Sequence, residues 1–315
     1  MGVGHSAADA EIALVFADRL TRPAPRIQRA VTEPDLLEVL AAHSPLTAPP
    51  CTATMSPACP IEESPMTRKS SPQTKEPNSD HPLEAARAAL ISGGAHLVPA
   101  AVTTSCLGVR EGDWERFRTH WDQLSVDSCS SALGARRLRR YGQFLLTPAV
   151  ERIRLLLQAA FVQPEDSNPL YVGVERTFEP LTGSFVADPL FRAVLRLLGQ
   201  VATALDDPAV WNAKVHPFRV VASPEVDGLP TPEGPHRDGV TLVSSLLIGR
   251  QNAVGGESSV FDPDGGLLLT ATLGEPGAVL LGDDRRTLHS VSPVRPVDRG
   301  RPAYRDVLVV TLTPG

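Results

Sequence analysis

Pro230-Thr-Pro-Glu-Gly-Pro-His236-Arg-Asp238-Gly-Val-Thr-Leu-Val-Ser-Ser-Leu-Leu-Ile248 is a proline- and glycine-rich loop that runs directly into an apolar strand. On both sides of it lie short runs of β-branched and apolar residues separated by Gly, Pro, Asn and Asp. Candidate strands are residues 214–222, 240–248, 258–262, 267–273, 278–281, 287–291 and 306–313. Strands at this spacing predict a β-sandwich or jelly roll.

Upstream the periodicity changes. Residues 83–91 read as a helix ended by Gly93-Gly94, and residues 113–124 place Trp114, Phe117, Trp121 and Leu124 on one helical face. Further helices are expected at 149–161 and 188–205. Helices first and strands afterwards give an α+β domain, with the helices packed on one outer face of the jelly roll. We expect one domain over residues 81–315, helical over about 83–210 and β-rich over about 211–315. Residues 1–80 read differently. Residues 43–82 hold nine prolines in forty positions, and 66–80 has no apolar periodicity. Such a segment buries too little apolar surface to offset its ordering entropy. It is expected to be disordered, or an over-extended reading frame with the start at Met55 or Met66.

Composition excludes some functions. The 30 Lys+Arg against 36 Asp+Glu give a net charge of -6, the wrong sign for a phosphate-reading surface. No apolar run reaches the roughly 18 residues of a membrane span. Cys51, Cys59, Cys106 and Cys129 lack metal-finger spacing. With no secretory signal evident, a cytoplasmic protein acting on a small molecule is expected, without nucleic-acid or membrane partners.

His-x-Asp occurs twice, at His120-Trp-Asp122 and His236-Arg-Asp238. In a helix, i and i+2 point roughly 200° apart, so the first pair cannot share a metal. At a strand entrance i and i+2 project to the same side, and His236 and Asp238 converge. His289, 51 residues after Asp238 in an apolar strand–loop–strand segment, supplies a third ligand. Two imidazoles and a carboxylate on one face of an octahedron suit non-haem Fe(II), leaving positions open for cosubstrate and O₂. Arg305 heads the last strand and offers a planar fork to a cosubstrate carboxylate. The alternatives are a cupin-like metalloenzyme that does not use 2-oxoglutarate and a non-catalytic jelly roll stabilised by its metal. Asp283-Asp284 reads as a loop without ligands, and Arg136–Arg140 as a solvated or salt-bridged face.

These segments carry a resemblance. His236-x-Asp238, Arg250-x-Asn252-x-x-Gly255-Gly256-Glu257, Pro276-Gly277, His289-Ser-Val-Ser-Pro293 and Tyr304-Arg-Asp-Val-Leu308 are similar to the bacterial 2-oxoglutarate/Fe(II) dioxygenases that hydroxylate free L-amino acids. The isoleucine 4-hydroxylase group is the nearest in pattern. Val215-His-Pro-Phe-Arg219, Asn168-Pro-Leu170, Arg176-x-Phe-Glu-Pro-Leu181 and Arg136-Arg-Leu-Arg-Arg-Tyr141 extend the likeness upstream, to about residue 85. The resemblance implies a double-stranded β-helix with Fe(II) on His236, Asp238 and His289 and 2-oxoglutarate on Arg305. It also implies O₂-dependent attack on an unactivated C–H bond, with release of succinate and CO₂. A free amino acid needs a cation for its carboxylate and an acceptor for its ammonium. Arg176 and Arg219 are candidates for the first role, Glu179 and Glu257 for the second. The odd spacing of His216 and Arg219 places them on opposite faces of a strand, so at most one of them faces the cavity.

Overall fold

Alternation of apolar residues over the C-terminal hundred positions produces long antiparallel strands, and these carry the architecture. The computed structural model describes residues 82–127, 136–157 and 176–315. The expectations for residues 1–80, the motif Asn168-Pro-Leu170 and the end of the expected 149–161 helix lie outside the described residues. Five helices occur among the described residues: α1 (Pro82–Gly93), α2 (Ala100–Leu107), α3 (Asp113–Arg118), α4 (Gly183–Ala187) and α5 (Pro189–Ala202). The strands are β1 (Ala95–Val98), β2 (Ser125–Val126), β3 (Arg137–Arg139), β4 (Gly142–Thr147), β5 (Arg152–Leu155), β6 (Trp211–Ala222) and β7 (Leu242–Gln251). They continue with β8 (Ala253–Gly255), β9 (Glu257–Phe261), β10 (Leu267–Thr272), β11 (Val279–Asp283), β12 (Leu288–Val291), β13 (Val294–Pro296) and β14 (Ala303–Pro314).

The main sheet runs β1-β11-β7-β14-β6-β3-β2, with β4 also on β6 and β5 on β4; β10-β9-β12 forms a second sheet. This is the expected jelly roll with helices toward its N-terminal end. β6 is long enough to hold two neighbours in succession, β4 along residues 211–215 and β3 along 218–220. Its two faces have different work. Trp211, Ala213 and Val215 are buried in the large apolar core, together with the face of α5 formed by Phe191, Val194, Leu195 and Leu198. Lys214, His216, Phe218 and Val220 turn the other way, into a cavity between the sheets.

Asp188 caps α5, accepting from the N–H groups of Leu190 and Phe191, and Pro189 follows at the first helical position. The α3 segment continues into a 3₁₀ turn, Thr119–Gln123, and buries Phe117 and Trp121 as the periodicity predicts. Trp121 Nε1 donates to Phe218 O at 2.9 Å, pinning this segment to β6.

Two expectations are corrected. Residues 149–155 are not helical: Pro148–Val150 is a short 3₁₀ turn, Glu151 takes a left-handed φ of 48°, and β5 then pairs with β4. Val150, Ile153 and Leu157 fit a helical period while Ile153 and Leu155 alternate as a strand does, and pairing with β4 decides between them. The region read as helical also holds β1 to β5, so strands precede residue 211.

Candidate active site

His236 and His289 come together because the loop and β12 form a one-rung ladder. His236 N–H donates to His289 O at 3.1 Å and His289 N–H to His236 O at 2.9 Å. The two rings lie 4.4 Å apart, centroid to centroid. Asp238 faces both: its Oδ1 is 3.9 Å from His236 Nε2 and its Oδ2 is 3.8 Å from His289 Nε2. One ligand atom from each residue falls within 4.8 Å of the others. His236 Nδ1 lies 2.9 Å from Gly234 O, so Nδ1 carries the proton and Nε2 keeps its lone pair for a metal. Burial, and then the neighbouring imidazole, lowers His289 to about 4, so its ring is neutral at physiological pH. The donor set and tautomers therefore fit a divalent cation on one open face.

The second His-x-Asp pair behaves as its helical setting requires. His120 Nε2 meets Asp188 at 3.1 Å, while Asp122 reaches Arg219 on the far side at 3.1 Å.

The triad opens on a cavity of about 160 Å³. Directly paired residues of antiparallel strands share a face, which orders the floor in rows: Arg305–Val220–Arg137, then Val307–Phe218–Arg139, Val309–His216 and Thr311–Lys214. Arg305 is 2% exposed, and among the described residues its Nε and Nη2 have no hydrogen-bond partner. Burial, and then the charge of Arg250, lowers it to about 10, still protonated at neutral pH. A buried cation with donors to spare suits the far carboxylate of a keto diacid. Gly256 makes room for it: at φ 65° its missing Cβ would lie 2.9 Å from Arg305 Cδ. The neighbouring loop arginines are used elsewhere, Arg295 with Asp227 and Arg301 with Asp298.

The cationic wall that β3 adds beside this floor corrects the sequence reading of Arg136–Arg140. Arg137 and Arg139 are buried and line the cavity; Arg136 is exposed. Both buried arginines share Asp127, and Arg139 also donates to His216 Nδ1 and stacks 3.6 Å from the centre of the Phe178 ring. Burial, then the charges of Arg139, Arg176 and Lys214, holds His216 well below the usual imidazole range, so it accepts as a neutral ring. The signal for this wall was the alternation of 137 and 139 against 136, 138 and 140. It gains meaning once β3 is known to pair with β6.

Of the four expected substrate residues, Arg176 alone faces the cavity, buried beside the Phe178 ring. Arg219 lies on the opposite face of β6. It holds Asp306 through two bonds of 2.7 and 2.8 Å and packs over Tyr304. Glu179 is exposed, 4.0 Å from Arg140. Glu257 is exposed at the head of β9 and does not line the cavity. Both carboxylates sit where their loops turn outward. Glu233, which the sequence reading did not single out, lines the cavity 3.5 Å from His236 Nε2.

A two-histidine, one-carboxylate face opening between the sheets of a jelly roll, beside a buried arginine, defines a non-haem iron oxygenase class. Comparison with known proteins makes it specific. A family model described as 2OG-Fe dioxygenase matches residues 118–311. The crystal structure of a bsmA homolog from Methylobium petroleophilum PM1 is 34% identical, with a TM-score of 0.67 over 74% of this chain and 93% of that one. The chain belongs to the 2OG-Fe dioxygenase family, and as such is an oxidoreductase using Fe(II), 2-oxoglutarate and O₂. IDO from Bacillus thuringiensis shares the fold at 20% identity and a TM-score of 0.62, over 74% of this chain and 99% of that one. The Fe(II)/(alpha)ketoglutarate-dependent dioxygenase TqaL does so at 20% and 0.59, over 73% and 86%. No curated protein sequence matches the chain. Among the described residues no helix is long and apolar enough to cross a membrane.

Proposed function

We propose that this enzyme hydroxylates an unactivated C–H bond of a free L-amino acid or close analogue, releasing succinate and CO₂. In this reading His236, Asp238 and His289 hold Fe(II), and Arg305 binds the far carboxylate of 2-oxoglutarate. Fe(II) with its cosubstrate and O₂ supplies the oxidising power, while the protein's residues bind, orient and exclude water. The observation that carries the substrate class is the buried cationic wall of Arg137, Arg139 and Arg176 facing the triad across one cavity. A guanidinium there takes the α-carboxylate, and the side chain then lies over Val307, Val309 and Phe218 toward the metal. Glu233, beside His236, is the cavity's acceptor for the ammonium. The resemblance to amino-acid hydroxylases supports the same reading.

The test is a screen of succinate release across proteinogenic and several non-proteinogenic amino acids, with mass analysis of products. The reading requires one amino acid to stimulate succinate formation and to gain one oxygen atom. Turnover with neutral or cationic molecules lacking a carboxylate, and with no amino acid, would contradict it.

A further inference from the structure

The turn between β11 and β12 carries two buried aspartates with different partners. Asp283 turns toward Arg285, its Oδ1 2.9 Å from Arg285 Nε. Asp284, whose side chain is fully buried, turns to the metal-site loop. It accepts the N–H of Asp238 at 3.0 Å and that of Val240 at 3.0 Å. Its own N–H donates to Thr241 O at 3.2 Å. The same carboxylate lies 3.7 Å from Nδ1 of His289, a buried nitrogen with no hydrogen-bond partner among the described residues.

We propose that Asp284 is the positioning residue of the metal centre, fixing the backbone that carries Asp238 and receiving the Nδ1 proton of His289. The inference rests on the assignment of His236, Asp238 and His289 as metal ligands. Two N–H donors, from Asp238 and Val240, tie the Asp238–Val240 backbone to one buried carboxylate, so the Asp238 side chain starts from a fixed point. The second oxygen is close enough to His289 that a small ring rotation closes a hydrogen bond. A metal-ligating imidazole commonly donates its other N–H to a carboxylate, which fixes its tautomer and strengthens it as a ligand. His236 obtains this from Gly234 O, and Asp284 is the matching group for His289. One side chain thereby sets ligands from two segments 51 residues apart in sequence.

The test uses Mn(II) alone, titrated into the full-length protein and followed by electron paramagnetic resonance. Asp284→Asn keeps the shape but loses the charge and one acceptor. It is expected to weaken Mn(II) binding ~10- to 100-fold. Asp283→Asn, one residue away and equally buried, is the control and should bind as wild type does. Asp284→Asn binding like wild type, or both variants weakening alike, would overturn the proposal. A second measurement needs no variant at this position. In wild-type protein loaded with Zn(II), histidine ¹⁵N spectra should show a slowly exchanging proton on His289 Nδ1, and its absence would also overturn the proposal. If wild type binds Mn(II) no better than His289→Ala, the ligand assignment itself fails, an outcome separate from either.

Discussion

Arg305 and Arg250 stand opposite each other across β14 and β7, and their surroundings give them different tasks. Arg250 spends its guanidinium on the carbonyls of Leu273, Ala253 and Gly255, holding the loop after β7. Arg305 keeps two buried nitrogens without a hydrogen-bond partner among the described residues. Removing it by Arg305→Leu should therefore cost a charge-assisted, two-pronged contact of roughly 2–4 kcal/mol. That is about a thirty- to thousand-fold loss of 2-oxoglutarate affinity, with metal affinity unchanged. Arg305→Lys should recover part of it, since an ammonium keeps the charge without the fork. Titrating 2-oxoglutarate into the metal-loaded variants under argon checks this; an unchanged affinity in Arg305→Leu would remove the cosubstrate from that end of the cavity. Arg176 and Arg219 should separate in a similar way. Arg176→Gln should raise KM for the amino acid at least tenfold and leave 2-oxoglutarate affinity nearly unchanged. Arg219→Gln should leave KM alone but strand the fully buried Asp306, costing about 3 kcal/mol in denaturant unfolding. A KM effect from Arg219→Gln would put its side chain on the wrong face of β6.

At the scale of elements, what sequence reveals depends on how many neighbours an element needs before its pattern means anything. The seven C-terminal strands were legible because each carries its own alternation between turn residues, and each appears within a few residues of its expected limits. The helix over residues 188–205 was legible for the same reason, its apolar stripe and its Asp-Pro start both being local. The β3 arginines were not. Four basic residues in five look like a solvated face until Phe218 and Val220 of β6 are laid beside them and Asp127 is brought up to two of them. Residues 149–155 failed for a related reason, as pairing with β4 overrides a helical pattern of similar strength. Of the site, the triad and Arg305 could be read from spacing and strand context. Asp284 could not, because its partners are backbone groups of a remote loop, which leave no trace in composition. Asp188 is the element-scale test of stability. It caps α5 and also holds Arg116 at 2.7 Å and His120 at 3.1 Å. Asp188→Ala should cost about 2 kcal/mol, at the top of the range for a cap because the pairs are lost with it. A loss within the scatter of ordinary surface substitutions, measured by denaturant unfolding, would mean that the cap and its two pairs contribute nothing.

For the whole molecule, the Methylobium relative is informative about extent. Nearly all of that chain, 93%, is matched by 74% of this one, so the fold is complete there without a counterpart for the remainder. Deleting residues 1–65 should accordingly leave melting temperature and succinate release unchanged; an insoluble or inactive product would show that the N-terminal segment supports the catalytic domain. Residues 82–315 perform a task that no short segment can, bringing His236 and Asp238 from one loop and His289 from β12 to one point, with Arg305 of β14 on the cavity floor. The most direct test of that convergence is the visible charge-transfer absorption formed when Fe(II) and 2-oxoglutarate are added together without oxygen. Wild type and His120→Ala should both develop the band, since His120 serves a helix cap through Asp188. His236→Ala and His289→Ala should not, because two remaining ligands cannot hold the metal face. A band of wild-type strength in either of these variants, or its loss in His120→Ala, would contradict the assignment of the metal centre.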